Sequence, residues 1–374
     1  MESQITQNTF CTYTGPPSQA NITIFFISGN PGLISYYHPF LSLLAQNLAK
    51  AAGVSREGTL QEQDISSSHQ IYGCSLGGFE IDADNHGPTM PTSPWPSDHS
   101  LRQQPRSKRN ELYDLEDQIR FVQQKLTDLM STNAATAGRD TSAPSRRKVI
   151  LIGHSVGAYM AMEILRRHRE DRTENSSSSS RDASDRVDFD IVGGVMLFPT
   201  VMDIAHSPSG QKLTKLLSLI PRLALVVGFF ARLLTLLLPT SILRSLVRFV
   251  MKNPPTHALN TTLAFLRSRD GVKQALHMAA DEMRTITSDK WTDDVWGVGT
   301  AREPIVKLFF YFGRNDHWVA ERTRDEIIAL RGREDRVGPS MLVCEEGLPH
   351  AFCLKHNDTM ARKVADMVQD IRLG

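Results

Sequence analysis

The amino-acid sequence predicts an α/β fold in which a mostly parallel sheet is covered by helices on both faces. Three observations carry that reading. Strand-like and helix-like segments alternate along most of the 374 residues. Several strands are continuous apolar runs, such as "NITIFFISGN" and "KVILIGHS", and lack the alternation of a half-exposed sheet. From 208 to 300 the alternation gives way to mostly helical sequence, as an insertion between two strands would produce.

The run at 21–30 is β-rich and ends in Gly-Asn-Pro-Gly, a buried strand feeding a tight loop. "YYHPFLSLLAQNLAKAAG" has apolar residues at helical spacing and a closing glycine. A polar stretch at 56–68 leads into a short strand, "HQIYGCS". Residues 82–107, rich in Pro, Ser, His and Asp, have no periodicity and read as loop. "ELYDLEDQIRFVQQKLTDLM" (111–130) is an amphipathic helix, "KVILIGHS" (148–155) a strand and "VGAYMAMEILRRHR" a helix. The low-complexity segment 171–186 reads as a disordered surface insert. "FDIVGGVMLFPT" (189–200) returns to strand. After the helical block come a strand, "IVKLFFYFGRND" (305–316), a helix, "AERTRDEIIALRG", a strand and loop, "SMLVCEEGLPHAF", and a closing helix, "DTMARKVADMVQDIRL". The expected organisation is a core of residues 1–207 and 301–374 with a helical cap at 208–300.

Composition narrows the function classes. The net charge is +1 and no basic run is interleaved with aromatics, so nucleic acid is not an expected partner. Cys11, Cys74, Cys344 and Cys353 show no C-x-x-C spacing or ligand cluster. They read as reduced core thiols, and neither a metal nor an organic cofactor is indicated. The N-terminal "MESQITQNTF" lacks the charged and apolar regions of a secretory signal. The most apolar segment is 212–250. Its run between Pro221 and Pro239 is shorter than the ~20 residues of a membrane span, and Arg232 sits inside it. Two proline-broken helices with basic residues at intervals suit a monolayer interface. The competing reading is a cap whose apolar face packs on the core.

The chemistry centres on a doubled motif. "GCSLGGF" (73–79) and "GHSVGAY" (153–159) both contain G-x-S-x-G. A nucleophilic serine of this type sits on a strained turn between a buried strand and a helix. Ser155 has both, with Gly153 and Gly157 flanking it. After Ser75 come Asp82, Asp84, Asn85, Gly87 and Pro88, which forbid a helix. Ser155 is therefore the expected nucleophile, and Ser75 a glycine-rich turn at the pocket rim. A serine at its ordinary pKa needs a histidine base oriented by a carboxylate, in chain order Ser, acid, His. His350, after the last strand, is the expected base; His356 lies nearer the final helix and His317 beside the best acid. Asp316, ending the strand before, is the expected acid, with Asp203 after "VMLFPT" as the alternative. The developing oxyanion needs N–H donors. The backbone N–H of Val156 and that of Asn30, in "SGNPG", are expected to supply them. Together these features predict an α/β-hydrolase fold with an inserted helical cap.

With these residues in hand the chain resembles the lipid droplet-associated hydrolases. "FFISGNPGLISYYHPFL", "LIGHSVGAYM", "FPT", "GRNDHWV" and "GLPHAFCLKHN" occur in that family's order and span most of 21–357. The Gly-Asn-Pro-Gly stretch with its following Tyr-Tyr is far more specific than G-x-S-x-G. The long inserts at 82–107, 133–147 and 171–186 depart from the family but spare its motifs. The resemblance implies a serine esterase or lipase-like hydrolase with Ser155, Asp316 and His350 as its triad. It implies neutral lipid esters, such as sterol esters or acylglycerols, as substrates. It places the protein at the lipid droplet monolayer or the endoplasmic reticulum membrane surface. An acyltransferase on the same triad, or a surface protein acting by binding in lipid storage, are the alternatives.

Overall fold

A computed structural model describes residues 3–15, 20–54, 68–81, 112–136, 146–177, 189–298, 306–332 and 338–373. The expected loop at 82–107, most of the polar stretch at 56–68 and the insert segments 137–145 and 178–186 lie outside the described residues.

Eight described strands form one sheet: β1 (Ser3–Ile5), β2 (Thr9–Tyr13), β3 (Ile22–Ile27), β4 (His69–Cys74), β5 (Arg147–His154), β6 (Phe189–Leu197), β7 (Lys307–Phe312) and β8 (Ser340–Val343). Their order is β1-β2-β4-β3-β5-β6-β7-β8. β3 to β8 pair in parallel, while β1 and β2 add an antiparallel hairpin beside β4. That hairpin escapes the sequence reading, because β1 is only three exposed residues long. Every side chain of β3 is buried, as a strand covered on both faces requires. α1 (His38–Val54) packs against α10 (Asn357–Leu373), and α2 (Leu115–Thr136) against α3 (Val156–Ser177). α9 (Glu321–Arg331) connects β7 to β8. α3 runs on through 171–177, so the first seven residues expected to be disordered continue a helix; Arg172 and Glu174, both exposed, are good helix formers there. Cys74, Cys344 and Cys353 are buried, and no disulfide joins the four cysteines.

Between β6 and β7 the described residues form five α-helices: α4 (Pro208–Leu219), α5 (Leu223–Leu237), α6 (Thr240–Val250), α7 (Thr256–Arg267) and α8 (Gly271–Thr285). Ser207 caps α4 by accepting from the Gly210 N–H at 2.9 Å, with Pro208 at the first helical position. Segment 212–250 holds three helices where two were expected, because Pro221 and Pro239 each end one. α4 and α5 meet at 92°. Among the described residues no single helix is long and apolar enough to cross a membrane. Leu243, Val247, Leu259 and Leu263 form a small second core between α6 and α7. Met278 and Met283 of α8 instead join the main core.

The strand order reverses at β3. The connection from β3 leads to β4 on one side, and the next crosses to β5 on the other. The carboxyl ends of β3 and β5 therefore flank a crevice, the favoured ligand position in an open parallel sheet.

Candidate active site

Ser155 occupies that crevice. Its φ of 56° is a left-handed conformation that a non-glycine residue adopts only when its surroundings enforce it. Three contacts enforce it here. The Ser155 N–H donates to the Leu197 carbonyl at 2.9 Å, at the end of β6. A Cβ on Gly153 would lie 2.4 Å from the Gly157 carbonyl oxygen. A Cβ on Gly157 would lie 2.4 Å from that of Ile27 in β3. The two glycines thus let α3 start directly against the sheet, which lifts the serine onto its turn.

Asp316 and His350 come to Ser155 from the loops after β7 and β8. His350 Nε2 lies 2.9 Å from Ser155 Oγ, and His350 Nδ1 lies 2.7 Å from Asp316 Oδ2. The other carboxylate oxygen, Asp316 Oδ1, accepts the Trp318 N–H at 2.8 Å. Both residues are buried. With Nδ1 donating to the carboxylate, Nε2 is left to accept the serine proton. The remaining candidates lie elsewhere. Asp203 Oδ1 faces His206 Nδ1 at 3.5 Å and makes no contact with His350. His317 and His356 are exposed, and the His317 ring centre is 6.3 Å from that of His350.

Val156 begins α3, where the first backbone N–H groups have no partner within the helix. The loop after β3 passes close by, since a Cβ on Gly29 would come 2.9 Å from Ser155 Cβ. The next residue, Asn30, is held by its side chain. Its Nδ2 donates to the Ala275 carbonyl and to Glu282 Oε1, both on α8, each at 2.9 Å. Ser75 does not touch this chemistry. It is buried, and its Oγ accepts the Ile34 N–H at 3.3 Å, bracing the loop that carries Asn30. The expectation that it lines the rim is thereby corrected. The β4 end lies one strand away, behind the loop and not over the crevice.

Two residues missed by sequence reasoning tie the site's loops together. The His154 imidazole, fully buried beside Ser155, donates from Nε2 to the His350 carbonyl at 2.9 Å. Because a carbonyl can only accept, His154 Nδ1 is the acceptor for the Tyr37 hydroxyl at 2.8 Å. Tyr37 Oη in turn accepts the Gly29 N–H at 3.3 Å. Burial and the neighbouring His350 hold His154 well below the usual histidine range, so it stays neutral. Burial pushes the Tyr37 phenol well above its own range. One hydrogen-bonded chain therefore spans the loops after β3, β5 and β8. The only sequence signal was the specificity of the "SYYH" stretch. Its other tyrosine, Tyr36, bonds Thr262 of α7 at 2.8 Å.

Comparison with known proteins adds to this geometry. A haloalkane dehalogenase from Bradyrhizobium elkani superposes with a TM-score of 0.52 at 12% identity, covering 100% of this chain and 98% of that one. A peroxisomal α/β-hydrolase of Saccharomyces cerevisiae gives 0.50 at 13% identity, covering 98% and 81%. These likenesses show an α/β-hydrolase fold. In sequence, the lipid droplet-associated hydrolase of Drosophila melanogaster is 27% identical over 356 residues, 93% of this chain and 89% of that protein. The human protein of that name is 25% identical over 353 residues, 93% and 85%. The chicken one is 31% identical over 225 residues, 60% of this chain and 59% of that protein. The family described as lipid-droplet associated hydrolase matches residues 20–353, so the chain belongs to the lipid-droplet associated hydrolase family.

Proposed function

We propose that the protein is a serine esterase that cleaves carboxylic esters of neutral lipids at a droplet surface through an acyl-enzyme. The observation that carries this reading is the continuous Ser155–His350–Asp316 hydrogen-bond chain on a strained elbow. Ser155 Oγ attacks the ester carbonyl carbon as its proton passes to His350 Nε2. Asp316 stabilises the imidazolium that results. The tetrahedral oxyanion is received by the N–H groups of Val156 and Asn30, each such donor being worth about 3 kcal/mol of the barrier. His350 returns the proton to the departing alkoxide, leaving Ser155 acylated. Water, deprotonated by the same histidine, then attacks the acyl carbon. The fatty acid leaves and Ser155 regains its proton.

The surroundings of the crevice support the substrate class. In this reading helices α4–α8 cap the crevice, fastened by the Asn30–Glu282 and Tyr36–Thr262 contacts. Its outer helices α4–α6 expose Leu219, Phe229, Phe230, Leu236, Leu237 and Phe249, each more than half accessible. An apolar face of that size suits insertion into the phospholipid monolayer of a lipid droplet, or into the endoplasmic reticulum surface, where sterol esters and acylglycerols are presented. The test is labelling with a fluorophosphonate probe. Wild type and Ser75→Ala should label and Ser155→Ala should not. A wild type that fails to label would point to a surface protein acting by binding.

A further inference from the structure

From Ile204 to Arg269 the chain carries Lys212, Lys215, Arg222, Arg232, Arg244, Arg248, Lys252, Arg267 and Arg269, and not one Asp or Glu. At the chain-wide frequency of 41 carboxylates in 374 residues, a stretch of that length would hold about seven. Removing those nine cations from the total of 42 leaves 33 against 41 carboxylates, a net −8 on the rest of the chain. The near-neutral total thus hides a strong separation of charge.

The cations stand on the same helices as the exposed apolar residues. Lys212 and Lys215 are exposed on α4, Arg222 precedes α5, Arg232 lies within it, and Arg248 is exposed on α6. Among the described residues only Arg269 of the nine meets a carboxylate, that of Asp270 at 3.6 Å. On α6, Leu243 and Val247 are buried, Ile242, Leu246, Phe249 and Val250 form an outward apolar stripe, and Arg244 and Arg248 occupy a third face away from both. A helix of this kind has one face for the protein, one for an apolar phase and cations where headgroups would meet them.

From this we infer that the α4–α6 face docks on a lipid surface bearing anionic headgroups, and that it selects such surfaces over zwitterionic ones. The inference rests on the droplet-surface reading above and adds the headgroup chemistry. A second copy of the chain is a poor occupant, because two such faces repel. A lipid surface accepts both features at once, aliphatic side chains below the headgroups and cations among them. Near an anionic surface each Lys or Arg strengthens binding by about fivefold.

Co-sedimentation of the full chain with vesicles tests this, using phosphatidylcholine alone or with about 30% phosphatidylserine. Wild type should prefer the anionic vesicles strongly and lose that preference as salt is raised to about 0.5 M. The variant Lys212→Gln, Lys215→Gln, Arg222→Gln, Arg248→Gln should lose about a hundredfold or more on anionic vesicles. It should keep its melting temperature and its weak binding to phosphatidylcholine. The charge-preserving pair Arg222→Lys, Arg248→Lys should bind as wild type. Equal, salt-insensitive binding of wild type to both vesicles overturns the headgroup inference and leaves apolar docking standing. Binding to neither vesicle, or a concentration-dependent dimer that hides the face, overturns both.

Discussion

Replacing Glu282 by glutamine isolates one buried carboxyl. Glu282 is 4% exposed on α8, where its Oε1 receives the Asn30 amide at 2.9 Å. Burial pushes the carboxyl from 4.5 up to about 8; the Asn30 hydrogen bond opposes the rise and Asp281 adds to it. The folded state therefore holds this proton more tightly than the unfolded chain. Its contribution to stability is fully present below about pH 4.5, where both states are protonated, and is lost as pH rises through about 8. At 1.36 kcal/mol per pH unit the full span is on the order of 5 kcal/mol. For a chain of this length that corresponds to a melting shift of roughly 6 °C. Glutamine keeps the shape and the neutral charge at every pH. Glu282→Gln should therefore melt with wild type near pH 5 and about 6 °C above it near pH 9, by scanning calorimetry across that range. Melting temperatures that run parallel from pH 5 to 9 would refute the reasoning, since they would mean that Glu282 titrates as an ordinary solvated carboxylate.

Within the site, Asp316→Asn should lower kcat on a short-chain ester by about 10⁴-fold through loss of the His350 tautomer, whereas Asp203→Asn should stay within a few-fold of wild type; equal losses would reopen the choice of acid. Tyr37→Phe removes the hydroxyl shared by Gly29 and His154 and leaves two buried groups unpaired. It should cost about 2 kcal/mol of stability and lower kcat about tenfold with KM little changed, read by denaturant unfolding and steady-state kinetics.

The expected triad residues lay where local signals converge: a strand ending in a loop, a loop containing the right side chain, and the right chain order. Ser155 was distinguishable from Ser75 by the residues C-terminal to each, a helix in one case and helix breakers in the other. The network that braces these loops had no such signal. His154 and Tyr37 are 117 residues apart, and Asn30 and Glu282 are 252 apart. No periodicity records a pairing made only by the folded sheet and its cap. Ser75 misled because a serine at a strand end reads alike whether it faces the crevice or a neighbouring loop. The β1–β2 hairpin is silent for another reason: an exposed three-residue edge strand carries too little apolar pattern to be seen. At 212–250 the apolar content was legible, but the number of helices depended on each proline acting as a stop.

The separation of charge between the α4–α6 helices and the rest of the chain makes the molecule an electric dipole. A dipole in the field of a charged surface experiences a torque before it makes any contact, so the protein turns as it approaches. Arrival rate then depends on ionic strength, while residence time depends on the aliphatic side chains already inserted. The same charge pattern therefore acts on timing and on aim: it determines that the α4–α6 end lands first.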